Sequence, residues 1–119
     1  MEANDTLAYI GSTWGEATPL ARAIIWALLR EDRPLQRSEI RNCLLQEARH
    51  LGRDLPTDTK FEQAFDAEMA WLTGVADMLG ETEDRFFFFS IPMVERWLRG
   101  VPLQDDDIER IFSRLGEQS

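Results

Sequence analysis

The sequence predicts a mainly α-helical domain with one small antiparallel β hairpin, and three observations lead there. Between residues 18 and 74, three segments repeat apolar residues at helical spacing, each bounded by capping or breaking residues. From Val75 the helical period gives way to two short runs of strand-forming residues around a charged turn. The chain has 119 residues, 44% of them hydrophobic, which is one domain able to hide roughly two-thirds of its unfolded surface and argues against intrinsic disorder.

Residues 1–17 are small and polar around Leu7, Tyr9, Ile10 and Trp14, and Gly11 and Gly15 interrupt any regular period, which predicts a tethered arm. Thr18 then offers an N-cap to Pro19 as first helical residue, and Leu20, Ile24, Ile25, Leu28 and Leu29 recur at helical spacing up to Arg30. Trp26 lies off that stripe, on a second buried face or on a partner surface. Arg33-Pro34-Leu35-Gln36 breaks the helix, because proline is incompatible with a helix interior. Ser38 can cap a second helix with Ile40, Leu44, Ala48 and Leu51 as its stripe, ending at Gly52.

After a loop containing Pro56, Thr57 or Asp58 caps a third helix, in which Phe61, Phe65, Met69 and Leu72 face the core and Gly74 is the stop. Val75–Leu79 reads as a strand, Gly80–Arg85 as the turn, and Phe86–Ile91 as the returning strand. Pro92 opens a short helix, Met93–Leu98, closed by Gly100. In residues 101–119, Asp105-Asp106-Asp107 precedes Ile108, Ile111, Phe112 and Leu115, a fifth helix with acid at its favourable end.

Three helices, a two-stranded hairpin and a short helix follow one another in the order of a winged-helix domain, a helix-turn-helix variant with a β wing. Asp77-Met78-Leu79-Gly80, a charged turn, and then Phe86-Phe87-Phe88-Phe89-Ser90-Ile91-Pro92-Met93-Val94-Glu95-Arg96-Trp97-Leu98-Arg99 narrow this. The pattern resembles the winged-helix domains that follow the nucleotide-binding module in STAND-type and related AAA+ ATPases, with Phe87, Phe89, Ile91, Pro92, Met93, Trp97 and Leu98 in the matching apolar places. The resemblance extends over residues 18–100 and is carried mainly by residues 75–99. It implies an arm (1–17), a winged-helix domain (18–100) and a C-terminal extension (101–119), and a regulatory role beside an ATPase. No G-x-x-x-x-G-K-[ST] motif is present, and Gly11-Ser12-Thr13-Trp14-Gly15 lacks the phosphate-reaching lysine. The expectation is a piece of a longer protein or a free-standing relative of such a piece, without ATPase chemistry of its own.

Charge decides how a winged helix is used. The chain has 22 acidic and 13 basic residues, a net charge of −9. The third helix, which would enter a major groove, carries Asp58, Glu62, Asp66 and Glu68 against Lys60 alone, and the wing tip Glu81-Thr82-Glu83-Asp84-Arg85 is also acidic. That is the wrong sign for phosphate contacts. Only residues 34–56 are basic, with Arg37, Arg41, Arg49 and Arg53 as a candidate patch for an anion or acidic partner, or simply a solvated helix face.

No catalytic residue emerges. Cys43 and His50 are seven residues apart on one helix, about 10 Å of rise, too far to pair. One Cys and one His exclude an internal disulfide and a soft-ligand zinc site, and Asp105-Asp106-Asp107 lacks the pattern of a calcium loop. Neither a cofactor nor a metal is expected. There is no apolar run of membrane-spanning length and no signal-peptide pattern, so the expected setting is the cytoplasm.

What remains is an interaction module. With Phe87, Phe89 and Ile91 inward, the hairpin turns Phe86, Phe88 and Ser90 outward, a pair of aromatics that needs a cover. Candidate interface residues are Phe86, Phe88, Trp26 and Trp14. The cover is either this chain's own flanks or another protein, a second copy included. The sequence therefore points to a non-enzymatic protein-contact or regulatory winged-helix module, and in second place to a transcription regulator that binds DNA as a dimer.

Overall fold

The computed structural model describes residues 11–52 and 59–90, together with Arg110. Helix α1 spans Pro19–Glu31, strand β1 Leu35–Gln36, helix α2 Arg37–His50 and helix α3 Thr59–Ala70, which runs into a wide π-helical turn, Trp71–Val75. Strands β2 (Leu79–Glu81) and β3 (Phe86–Phe89) follow. The molecule is mainly helical with a small three-stranded antiparallel sheet in the order β1-β3-β2. The loop Arg53–Thr57 with the caps Thr57 and Asp58, the helix expected at Met93–Leu98 and the C-terminal helix of 101–119 lie outside the described residues.

Helix α1 begins as the sequence dictates, with the Thr18 hydroxyl accepting from the Ala21 N–H at 3.1 Å and Pro19 in the first turn. It ends at Asp32, whose left-handed backbone (φ 55°) lets its N–H reach the Leu28 carbonyl. Leu20, Ala21, Ala23, Ile24, Ile25, Trp26, Ala27, Leu28 and Leu29 are all buried. This is burial on every side rather than along one stripe, and both α2 and α3 pack on α1.

Residues 11–16, read from the sequence as the end of an irregular arm, are helical. Arg22 explains how so short a segment holds: its guanidinium donates to the Trp14 carbonyl at 2.9 Å and to that of Gly15 at 3.4 Å, satisfying exposed helix-end acceptors. It also lies 5.1 Å from the centre of the Trp14 ring. Trp14 itself is half-buried against the core.

Helix α2 starts earlier than the Ser38 cap predicted. Gln36 is the N-cap, because Glu39 reaches back to accept the Gln36 N–H at 3.0 Å. Leu35 and Gln36, expected only as a break, form β1 and pair with Phe87 and Phe86 of β3. Two residues are too few to show a strand period; their partners lie some fifty residues away in the chain.

Helix α3 buries Phe61, Phe65, Met69 and Leu72 as its spacing predicts. Gly74 does not stop it, and of the strand expected at Val75–Leu79 only Leu79 is in β2, which continues through Gly80 and Glu81, expected in the turn. The chain instead widens: the Ala76 N–H bonds to the Trp71 carbonyl and the Thr73 hydroxyl folds back on the Met69 carbonyl. Val75 is left exposed in that turn, and Asp77, left-handed at φ 53°, redirects the chain into β2.

The hairpin pairs Leu79 with Phe89, Gly80 with Phe88 and Glu81 with Phe87. Its turn is closed by the Thr82 N–H to the Phe86 carbonyl and by the Phe86 N–H to the Thr82 hydroxyl. Phe87 is buried and Phe88 exposed, with Phe86 and Phe89 between, so odd positions face the core as expected. Leu35 and Leu79 meet the same inner face.

Phe65 is fully buried and its ring lies 6.2 Å from that of Phe61. Truncating a buried Phe costs about 3 to 5 kcal/mol, a large share of a small domain's stability. Phe65→Ala is expected to lose the cooperative thermal transition or to lower it strongly, followed by circular dichroism; melting like the parent would mean that the α3 register is wrong.

Candidate functional site

Two surfaces matter, the outer face of the sheet and the seam between α2 and α3. On the sheet, Phe88 is 38% exposed. Part of its cover is local. Gly80 stands opposite on β2, and a Cβ there would come within 2.6 Å of the Phe88 ring, so the ring lies directly over the glycine backbone. Phe86, opposite Gln36, is half-buried. Phe88 and Phe89 also border an open cavity of about 210 Å³ with Leu28, Asp32, Arg33 and Pro34.

The second surface is an ion-pair seam. Arg37 donates from Nε to Asp66 at 2.6 Å and from Nη2 to Glu62 at 2.8 Å, while Arg41 donates to the other Glu62 oxygen at 2.6 Å. The Arg37 guanidinium also lies 4.8 Å from the centre of the Phe65 ring. The four-residue spacing of Arg37 and Arg41 puts both on one face of α2, and Glu62 and Asp66 have the same spacing on α3. Hydrogen bonds from Arg37 and then Arg41 hold the Glu62 carboxyl below its ordinary value, and the bonds of Arg37 to Glu62 and then Asp66 raise Arg37.

The candidate anion patch therefore does not stand as a free cluster. Arg37 and Arg41 have their charge matched within the chain, Arg49 is exposed near the end of α2, and Arg53 lies outside the described residues. Of the candidate interface residues, Trp26 belongs to the core at 8% exposure, which removes it from a partner surface; the Arg30 guanidinium lies 5.4 Å from its ring and pairs with Glu47 at 3.2 Å. In the sequence the acids of the third helix are weighed only against phosphate and the arginines only as a separate patch, so the seam is missed; the matching four-residue spacing of Arg37 and Arg41 with Glu62 and Asp66 was the available signal.

The groups considered for chemistry stay apart from one another. Cys43 is buried, and burial pushes its thiol up, away from the reactive thiolate. His50 is exposed at the end of α2. Among the described residues no group of three or more His, Cys, Asp or Glu side chains could hold a metal ion, and no helix is long and apolar enough to cross a membrane. Comparison with known protein families, with curated proteins and with solved structures finds no match.

The seam has a pH signature. A carboxyl held below its ordinary value stabilises the fold fully above its unfolded value, near 4.5, and that contribution is lost as pH falls through the lower, folded value. The pairs are partly solvated, so the effect is about 1 kcal/mol or less. Glu62→Gln is expected to be less stable than the parent at neutral pH, with the gap closing as pH falls from about 5 into the acid range in urea melts. A gap that stays constant across that range would mean that the Glu62 pairs do not contribute.

Proposed function

We propose that this chain is a non-enzymatic protein-contact module with a winged-helix arrangement, similar to the regulatory domains beside STAND-type and AAA+ ATPases. The order helix, short strand, two helices and hairpin supports the arrangement, as does β1 lying against β3. The sequence pattern of residues 75–99 supports the family likeness.

The observation that carries the reading is electrostatic. In a winged helix, α3 is the element that would enter the major groove. Here it offers Glu62, Asp66 and Glu68, and the two arginines nearest to it are already bound to Glu62 and Asp66. Bringing a phosphate to this face means breaking those pairs and exposing carboxylates to like charge. A protein partner meets no such penalty, and exposed Phe88 and Val75 give it apolar surface.

Fluorescence anisotropy with mixed-sequence duplex DNA at low and at near-physiological salt separates this from DNA reading. No complex is expected at either salt concentration. Micromolar binding that weakens steeply with salt would sink the protein-contact reading in favour of a DNA-binding dimer.

A further inference from the structure

Among the described residues an arginine guanidinium lies over an aromatic ring at three places. Arg30 lies over Trp26 and pairs with Glu47; Arg37 lies over Phe65 and pairs with Glu62 and Asp66; Arg22 lies over Trp14 and bonds to backbone carbonyls. In the first two, one cation joins an aromatic face to carboxylate. Trp71 shares a cleft with two glutamates, and among the described residues no cation joins them. It packs one side against the core and with Glu68, Glu16, Thr18 and Ala67 lines an open cleft of about 350 Å³.

No arginine or lysine lines that cleft among the described residues, Glu16 and Glu68 make no ion pair among them, and no guanidinium there covers the Trp71 ring. The described residues give its walls an indole, a methyl group, a hydroxyl and two carboxylates, in a chain of net charge −9. An indole face attracts a cation through its quadrupole, and a planar guanidinium can stack on the ring while its edge N–H groups donate to carboxylate. A neutral or anionic side chain gains neither.

We propose that the Glu16–Glu68–Trp71 cleft binds an arginine side chain presented by a partner protein. This deepens the protein-contact reading and rests on it only in taking the partner to be a protein. The cleft is separate from the outer sheet face, being lined by the end of the 11–16 helix, Thr18 and the last turn of α3 with its wide extension.

The test is a titration of the full chain with the blocked peptide acetyl-Gly-Gly-Arg-Gly-Gly-amide at near-physiological salt. The same peptide with citrulline, the neutral counterpart of arginine, is the control. The readout is the Trp71 indole N–H signal in two-dimensional NMR, assigned by its loss in Trp71→Phe. A single-arginine peptide and a site-specific signal keep general attraction to an acidic protein from imitating the result. A saturable shift of the Trp71 indole is expected, with citrulline at least about tenfold weaker. The double variant Glu16→Gln with Glu68→Gln, whose side chains are outside the core, should weaken binding by a similar factor while melting like the parent.

No saturable shift up to millimolar peptide, equal binding of the citrulline peptide, or unchanged affinity in the double variant would each overturn the proposal. So would absent peptide binding together with a lowered melting temperature in the double variant, which would mean that an arginine of this chain already fills the cleft. None of these outcomes touches the DNA titration, so failure here is distinguishable from failure of the broader reading.

Discussion

Everything described depends on α1 being buried on all sides. Nine of the ten residues from Leu20 to Leu29 are buried, and the exception, Arg22, turns back to hold the carbonyl end of the 11–16 helix. A helix can be surrounded in this way only if some of its faces are small. Ala21, Ala23 and Ala27, all fully buried, supply the close approaches, and Ile24, Ile25 and Leu28 fill the space between helices. The left-handed turn at Asp32 then delivers Leu35 to the inner face of the sheet, so that the sheet attaches to the same core.

Around that core the charges are arranged to match internally where elements meet. Arg30 with Glu47 ties α1 to α2, Arg33 with Glu39 ties the intervening turn to the start of α2, and Arg37 and Arg41 tie α2 to α3. Individually such exposed pairs stabilise little. Their larger consequence is for recognition, since they take up the cations nearest α3 and leave an acidic surface with apolar spots at Val75 and Phe88. The same mixture of aromatic ring, guanidinium and carboxylate that fastens the chain to itself is the chemistry proposed for the cleft at Trp71.

Much of the helical architecture was legible. Thr18-Pro19 marked the start of α1, and Phe61, Phe65, Met69 and Leu72 gave the buried face of α3 because helical spacing and burial coincide there. The alternation of the four phenylalanines was legible too. The full burial of α1 was under-read as a stripe, although Arg22 is the only polar residue from Leu20 to Leu29. What could not be read depends on partners distant in sequence. Leu35-Gln36 becomes a strand only because Phe86 and Phe87 are beside it, and the wide turn at Trp71–Val75 forms where local propensity suggested a stop and a strand. The sequence asks for a cover over Phe88, from the chain's flanks or from another protein, and does not reveal the local one because Gly80, its partner on β2, has no side chain.

Native-state hydrogen exchange by NMR tests the central role of α1 most directly. Its interior amides, from Ala23 to Leu28, should exchange only through global unfolding, with a protection free energy equal to that from denaturant melts. Amides of α2, the wide turn and the hairpin should open at equal or lower free energy. If the α1 amides exchange through a cheaper, local opening while α2 or α3 stays protected, the fold does not hang on α1.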